Sequence, residues 1–128
     1  MATAQQTDRI TRVVDLYIEG CRDGDGAKLR EVFHADARMW GSFGGQRVDE
    51  PISELIAETD GSPVDVDGSY SARVTSLEQA GDTAAVTLVE DGYWGTVSFV
   101  DFFSLAEIDG EWKIVNKTFI HTGGEPPA

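Results

Sequence analysis

The chain has 128 residues, one cysteine, 41% hydrophobic residues and a formal net charge of −13, from 10 Lys and Arg against 23 Asp and Glu. This length predicts a single domain over residues 1–128, with an ordered core at about 8–121, that folds without a disulfide framework or a structural metal. The acidic excess disfavours nucleic acid and membrane surfaces as partners, and without an apolar span or a secretory signal we expect a cytoplasmic protein.

Three helices are predicted in the first half of the chain. Apolar residues at three- and four-residue steps predict the first helix over residues 8–21, with Thr7 as its N-cap. That apolar stripe consists of Ile10, Val13, Val14, Tyr17, Ile18 and Cys21. The RDGDG stretch ends this helix, and Asp25 is positioned to cap a second helix over residues 26–34. A third, short helix is predicted at residues 51–58, where PISELIAE carries one apolar face.

Four antiparallel strands are predicted after residue 66, where Val, Thr and aromatic residues are abundant. Turn signals at residues 80–82, 91–92 and 109–110 separate these strands, and the connections are too short for parallel crossovers. Residues 38–40 also read as extended chain. Helices first and strands last predict an α+β fold in which three N-terminal helices pack on one face of a curved, mainly antiparallel sheet.

The stretches DLYIEGCRDGD, FHADARM and DFFSLAEIDGEWKIVNKTF resemble the nuclear transport factor 2-like superfamily. Within it, they are most similar to the bacterial family named "putative lumazine-binding". The resemblance implies a cone-shaped α+β barrel, a pocket between the sheet and the helices, and a homodimer. It does not decide the function, because this architecture carries isomerases, dehydratases, cyclases and plain binding proteins.

Tyr17 and Asp101 are the first two candidate site residues. Tyr17 is either a core aromatic with one hydrogen-bond partner, or a phenol that donates to a substrate oxygen at the pocket. Asp101 lies in the otherwise apolar stretch SFVDFFSL. If it shares a buried face with Phe99 and Phe103, burial raises its pKa and the protonated acid becomes a donor. The alternative buries Val100 and Phe102 and turns Asp101 towards solvent or a basic partner.

A more distant resemblance to ketosteroid isomerase implies that Tyr17 and Asp101 occupy the two oxyanion-hole positions. It also puts Gly41 at the position of the general base, where a glycine cannot accept a proton. Steroid isomerisation by that mechanism is therefore not expected. His121, on the last strand, is the candidate replacement base, and the alternative is a solvent-facing histidine near the C-terminus.

The remaining titratable residues receive structural interpretations. His34 is expected to lie at the end of the second helix, and Cys21 to be an inert core thiol. Neither histidine has a metal-ligand partner at suitable spacing, and no phosphate-binding loop is visible, so we expect no metal and no cofactor.

Three functional hypotheses follow. In the first, the protein binds a small hydrophobic or aromatic ligand in a largely apolar pocket. The predicted ligand-binding residues are Phe33, Trp40, Phe43, Phe99 and Phe103. In the second, it is a cofactor-free isomerase, dehydratase or cyclase that uses Tyr17, Asp101 and His121 as catalytic residues. In the third, it is a non-catalytic dimerisation domain that associates through the outer face of the sheet.

Overall fold

The computed structural model describes residues 4–126, with side chains from residue 6 onward, as three helices on a six-stranded sheet. The elements are α1 Ala4–Asp23, α2 Gly26–Val32, β1 Phe33–Phe43, β2 Gln46–Pro51, α3 Ile52–Thr59, β3 Ser71–Ala80, β4 Thr83–Tyr93, β5 Val97–Ile108 and β6 Glu111–Gly123. The strand order is β2-β1-β6-β5-β4-β3, with β1 and β6 parallel and every other neighbouring pair antiparallel. The predicted α+β fold on a curved, mainly antiparallel sheet is confirmed, and the sheet curves without closing.

Helix α1 buries the predicted apolar stripe. Ile10, Val14, Tyr17 and Cys21 are all 0% exposed. The helix already includes Ala4, so Thr7 lies inside it and the predicted N-cap at Thr7 is wrong. The chain can leave α1 at Gly24, where φ is +67° and a Cβ atom would lie 2.7 Å from the backbone nitrogen of Pro63.

Helix α2 is shorter than predicted. The Asp25 cap is confirmed, because its carboxylate accepts a hydrogen bond of 3.1 Å from the backbone N–H of Lys28. The helix ends at Val32, however, and Phe33 and His34 begin strand β1 instead of finishing α2. Phe33 pairs in register with Ile114 of β6, so a long-range strand contact overrides the local helical pattern.

Two features of the sheet differ from the prediction. The first is β2, which pairs with β1 and had no strand signal because its burial pattern shows no buried residue. The second is the β4–β5 turn, which lies at residues 94–96, whereas Gly92 belongs to β4. Gly92 has φ +68° at a register shift of β4, and a Cβ atom there would overlap the carbonyl oxygen of Ser69 at 2.0 Å. This glycine therefore marks a bulge and a close backbone approach.

The inner face of the sheet packs against the helices and forms the core. On β5, Phe99, Asp101 and Phe103 share the buried face, while Phe102 is 51% exposed. The alternative alignment, with Val100 and Phe102 buried, is therefore wrong. On β6, the inward-facing positions change parity after Ile114, so that Lys117 becomes buried. Among the described residues, no helix is long and apolar enough to cross a bilayer.

Candidate functional site

A cavity of about 230 Å³ lies between the inner face of the sheet and helix α3. Its apolar wall is formed by Met39, Phe43, Val48, Leu55, Tyr93, Trp94, Phe99 and Phe119. Its polar lining consists of Glu50, Glu58, Thr59, Ser62, Asp101 and Lys117. An apolar cavity with a few converging polar groups is the usual form of a small-molecule site.

The aromatic wall is a connected set of ring contacts. The ring of Phe99 lies edge-on to those of Tyr93 and Phe119, with centroids 5.2 Å and 5.6 Å away. Phe43 extends the set from β1, with its centroid 5.4 Å from that of Phe99. Trp94 packs edge-on against Tyr93 at 4.8 Å. Because each ring is held by its neighbours, the apolar wall is preformed.

Asp101 is the unusual polar group of this cavity. It is 1% exposed, and among the described residues no backbone group, hydroxyl or amine donates to its carboxyl oxygens; the polar group beside it is the buried carboxyl of Glu90, with which it can share a hydrogen bond when one of the two is protonated. Burial, reinforced by the negative charge of Glu90 and opposed by Lys117, raises the pKa of Asp101 well above its ordinary value. The raised pKa favours the protonated form of Asp101, a carboxylic acid with one donor and one acceptor, in the wall of the cavity.

Lys117 lies beside Asp101 in the cavity wall and is 5% exposed. Asp101 pairs with Phe119 and Phe103 pairs with Lys117, so the two polar residues are diagonal neighbours on adjacent strands. The ammonium of Lys117 donates a hydrogen bond of 3.0 Å to the hydroxyl of Tyr17. It also lies 5.3 Å and 5.5 Å from the ring centroids of Tyr17 and Phe119, within the range of a cation–π contact.

Glu90 is the third buried charged residue, at 0% exposure on β4. Its carboxylate accepts hydrogen bonds from the hydroxyls of Tyr17, at 3.3 Å, and Tyr70, at 2.5 Å. The Tyr17 hydroxyl therefore links the Lys117 ammonium to the Glu90 carboxylate. The amine of Lys117 therefore lies in one buried group of side chains with the carboxyl groups of Glu90 and Asp101.

The structure gives Tyr17 and Asp101 different surroundings. Asp101 lines the cavity, whereas Tyr17 lies behind the wall with its hydroxyl bonded to Glu90 and Lys117. Burial, and then neighbouring acidic groups, raise the pKa of Tyr17 well above 10.0, so that it stays a phenol. Tyr93 lines the cavity, and burial raises its pKa in the same way.

The five predicted ligand-binding aromatics separate into three groups. Phe43 and Phe99 line the cavity. Phe33 and Phe103 instead enclose Tyr17, with centroids 5.9 Å and 4.9 Å from its ring. Trp40 is 36% exposed beneath the guanidinium of Arg47, because strand alternation turns it away from the face that carries Met39.

His121 lies beside the aromatic wall, with its ring stacked on Phe43 at 4.9 Å. Its Nδ1 accepts a hydrogen bond of 3.2 Å from the backbone N–H of Gly44. Its Nε2 donates to the carbonyl oxygens of Gly123, at 2.9 Å, and Gly124, at 2.6 Å. Both ring nitrogens are therefore occupied by backbone groups in this arrangement, which ties the end of β6 to the β1–β2 turn.

Two further residues, Gly41 and Cys21, are enclosed by the packing of their neighbours. A Cβ atom at Gly41 would lie 2.4 Å from the carbonyl oxygen of Phe119, so no side chain fits there without moving β6. Cys21 is fully buried, and burial raises the pKa of its thiol far above the ordinary value. Among the described residues, no group of three or more His, Cys, Asp or Glu side chains is arranged to hold a metal ion.

Comparison with known proteins identifies the family of this chain. A family profile described as "Putative lumazine-binding" matches residues 5–120. The chain belongs to this family. A curated relative, "Aldolase FrzH" from Cladobotryum sp, is 27% identical over 118 residues, which is 91% of this chain and 92% of the relative.

Solved structures similar to this member of the family are nuclear transport factor 2-like proteins. An NTF2-like protein of unknown function from Methylobacillus flagellatus KT is 27% identical, covers 95% of this chain and 96% of its own, and has a TM-score of 0.86. A ketosteroid isomerase-like protein from Erwinia carotovora atroseptica covers 94% of this chain and 99% of its own at 14% identity, with a TM-score of 0.71. At that identity, the second similarity shows a shared fold alone.

Sequence reasoning missed Glu90 and Lys117. Glu90 could have been found, because it continues the alternation of the buried residues Val86 and Leu88 on β4. Lys117 could not, because alternation from Ile114 predicts that position 116 faces inward, and the bulge in β6 changes the parity.

Proposed function

We propose that this protein binds a small, uncharged molecule with an aromatic or apolar ring and one carbonyl or hydroxyl group. The observation that carries the proposal is the Asp101 carboxyl, which is almost fully buried, receives no hydrogen bond from a backbone group, hydroxyl or amine of the described residues, and belongs to a residue of the cavity wall. A buried polar group without a partner is destabilising, and a ligand oxygen would supply the missing hydrogen bond.

Size and charge narrow the class of ligand. The cavity of about 230 Å³ is smaller than the roughly 300–1,000 Å³ of pockets that hold drug-sized molecules, which favours ligands of one or two rings. Glu50 and Glu58 also line it, and their carboxylates repel an anionic ligand. The family description, "Putative lumazine-binding", and the name of the relative, an aldolase, both support a small-molecule ligand.

A second candidate function is a cofactor-free reaction at a carbonyl group, such as an isomerisation, dehydration or cyclisation. The observation that favours it is the raised pKa of Asp101, because a neutral acid can protonate or hydrogen-bond an oxygen on which negative charge develops. Among the predicted catalytic residues, Asp101 has the direct role in this proposal. Tyr17 supports it from behind the wall, and His121 contributes only if its backbone contacts open.

Binding of three related probes tests the proposal: naphthalene, 2-naphthol and 2-naphthaldehyde, measured by isothermal titration calorimetry. We expect both oxygen-bearing probes to bind about fivefold tighter than naphthalene or more, because a net hydrogen bond contributes about 1 kcal/mol. The anion 2-naphthoate should bind more weakly than 2-naphthaldehyde.

The variant Asp101→Leu should bind naphthalene and lose the preference for the oxygen-bearing probes. The control Asp82→Leu changes an exposed carboxylate and should retain that preference. A preference for 2-naphthol that survives in Asp101→Leu would contradict the proposal.

We also propose that the outer face of the sheet joins two copies of the chain. Phe102 and Trp40 both pair with Thr118, so these exposed side chains flank one position, and Ile120 is 49% exposed on the same face. Phe102→Glu should therefore lower the molar mass measured by light scattering from that of a dimer to that of a monomer. Val74→Glu, an exposed apolar position on the opposite face, should not change it.

A further inference from the structure

We infer that Lys117 is a covalent site for aldehydes and ketones, at which its Nζ forms an iminium with a carbonyl carbon bound in the cavity. This inference rests on the proposed function, because the carbonyl compound must first occupy the cavity. It assigns the reactive class of ligand and a nucleophile to a residue that the sequence did not identify.

Three features of Lys117 carry the inference. It lines the cavity at 5% exposure, and its amine lies 5.5 Å from the ring centroid of Phe119, another residue of the cavity wall. Within the described part of the chain it has no direct carboxylate ion pair, and its hydrogen bond runs to the Tyr17 hydroxyl. The acid Asp101 lies on the adjacent strand as a diagonal neighbour, at the roughly 7–8 Å backbone spacing that lets two long side chains reach one substrate.

The ammonium must lose a proton before it can attack, and the contacts provide the route. Lys117 donates to the Tyr17 oxygen at 3.0 Å, and the Tyr17 hydroxyl donates to Glu90 at 3.3 Å. When Tyr17 passes its own proton to Glu90 and accepts one from Lys117, the ammonium becomes a neutral amine and the carboxylate becomes an acid. The phenol returns to its original state, so the net transfer is one proton from Lys117 to Glu90.

The covalent step then uses Asp101 as the acid. The lone pair of Nζ forms the bond to the carbonyl carbon, and the carbonyl π electrons move to its oxygen, which takes the Asp101 proton. The resulting carboxylate removes a proton from nitrogen and returns it to the hydroxyl, which leaves as water while the carbon–nitrogen double bond forms. In total, the Lys117 ammonium, the Glu90 carboxylate, the Asp101 acid and the carbonyl compound become the Lys117 iminium, the Glu90 acid, the Asp101 carboxylate and water. Atoms and charge balance.

The iminium is positioned for further chemistry at the adjacent carbon. The Asp101 carboxylate formed in the last step lies beside the iminium cation and can accept a proton from the carbon next to the former carbonyl. The product is an enamine, the carbon nucleophile of aldol-type bond formation. After water loss Asp101 remains a carboxylate, so the same residue serves as the acid in iminium formation and as the base in enamine formation.

Reductive trapping tests the site. The full chain is incubated with 2-naphthaldehyde and sodium cyanoborohydride, which reduces an iminium to a stable secondary amine, and the labelled lysine is located by peptide mass spectrometry. The other lysines, Lys28 and Lys113, are internal controls, since their side chains are 28% and 25% exposed outside the cavity. We expect Lys117 to label at least about tenfold faster than either of them, and excess naphthalene to slow labelling of Lys117 alone.

Variants separate covalent chemistry from simple proximity. Lys117→Arg keeps the charge and should abolish the cavity adduct, while Tyr17→Phe and Glu90→Gln interrupt the proton route. Either of the latter two should slow labelling of Lys117 by about tenfold or more and leave Lys113 unchanged. If Lys117→Arg does not fold, protection of Lys117 by naphthalene in the unaltered protein decides the question.

The failures of the two proposals are distinguishable by calorimetry on the same sample. If 2-naphthaldehyde binds and the label is confined to Lys28, Lys113 or the N-terminal amine, the covalent site is refuted and ligand binding stands. If none of the naphthalene probes binds, both proposals are refuted.

Discussion

Replacing Asp101 with asparagine should change how the free energy of unfolding depends on pH. Burial, and then the charge of Glu90, raise the pKa of Asp101 well above its ordinary value of 3.8, so the folded protein holds a proton that the unfolded chain releases. Above pH 3.8, unfolding releases one proton from Asp101, so the stability of the unaltered protein falls as pH rises. The fall ends at the folded-state pKa, because above it both states are ionised.

The size of the effect follows from a single proton. One proton corresponds to about 1.4 kcal/mol of unfolding free energy for each pH unit between the unfolded and the folded pKa. Asparagine has the size of the neutral acid and no proton to lose, so its contribution is independent of pH. At 1% exposure, solvent does not screen the carboxyl. Relative to Asp101→Asn, the unaltered protein should therefore lose about 1.4 kcal/mol of stability per pH unit over this range.

Urea unfolding followed by tryptophan fluorescence from pH 4 to pH 8 measures the difference. The control Asp82→Asn removes an exposed carboxylate and should follow the unaltered protein. The pH at which the Asp101→Asn curve and the unaltered curve become parallel gives the folded-state pKa of Asp101. Curves that run parallel over the whole interval would refute a protonated Asp101, and with it the donor role in the proposed function.

Two further variants test the packing behind the cavity, each by the urea midpoint at pH 7. Tyr17→Phe leaves the buried Glu90 one donor short, and should lower the unfolding free energy by about 1–3 kcal/mol; an unchanged midpoint would mean that this hydrogen bond adds nothing. Gly41→Ala should lose roughly 1–3 kcal/mol, because its Cβ would lie 2.4 Å from the Phe119 carbonyl oxygen, whereas Gly123→Ala meets only an ordinary contact at 4.0 Å and should lose less. Equal losses in the two glycine variants would contradict the packing argument.

Local pattern was sufficient for the buried stripe of α1 and for the cap of α2. The stripe of α1 and the Asp25 cap depend on neighbours within four residues, so the sequence carries them directly. On β5, local alternation left two alignments open, and the structure decides between them by burying Phe99, Asp101 and Phe103. The stripe and the cap are local, and their prediction was correct for that reason.

Features that depend on distant backbone were not predictable from local pattern. Strand β1 takes over Phe33 because Ile114, far along the chain, offers a parallel partner. Gly92 reads as a turn residue, yet the Ser69 backbone approaches so closely that a glycine is needed within β4. In both cases the deciding contact is tertiary, and a turn or helix signal describes only the local part of the energy.

The candidate site likewise depends partly on local pattern and partly on contacts between distant parts of the chain. Alternation on a single strand left open whether Asp101 faces inward, and its chemical state depends on which side chains the neighbouring strands place beside it. Glu90 on β4 and Lys117 on β6 are both diagonal neighbours of Asp101, and Lys117 reaches that position only through the parity change in β6. Without that change, two buried carboxyls would share the inner face with no cation. The bulge therefore brings the Lys117 amine to the inner face of the sheet, into the same buried group as the carboxyls of Glu90 and Asp101.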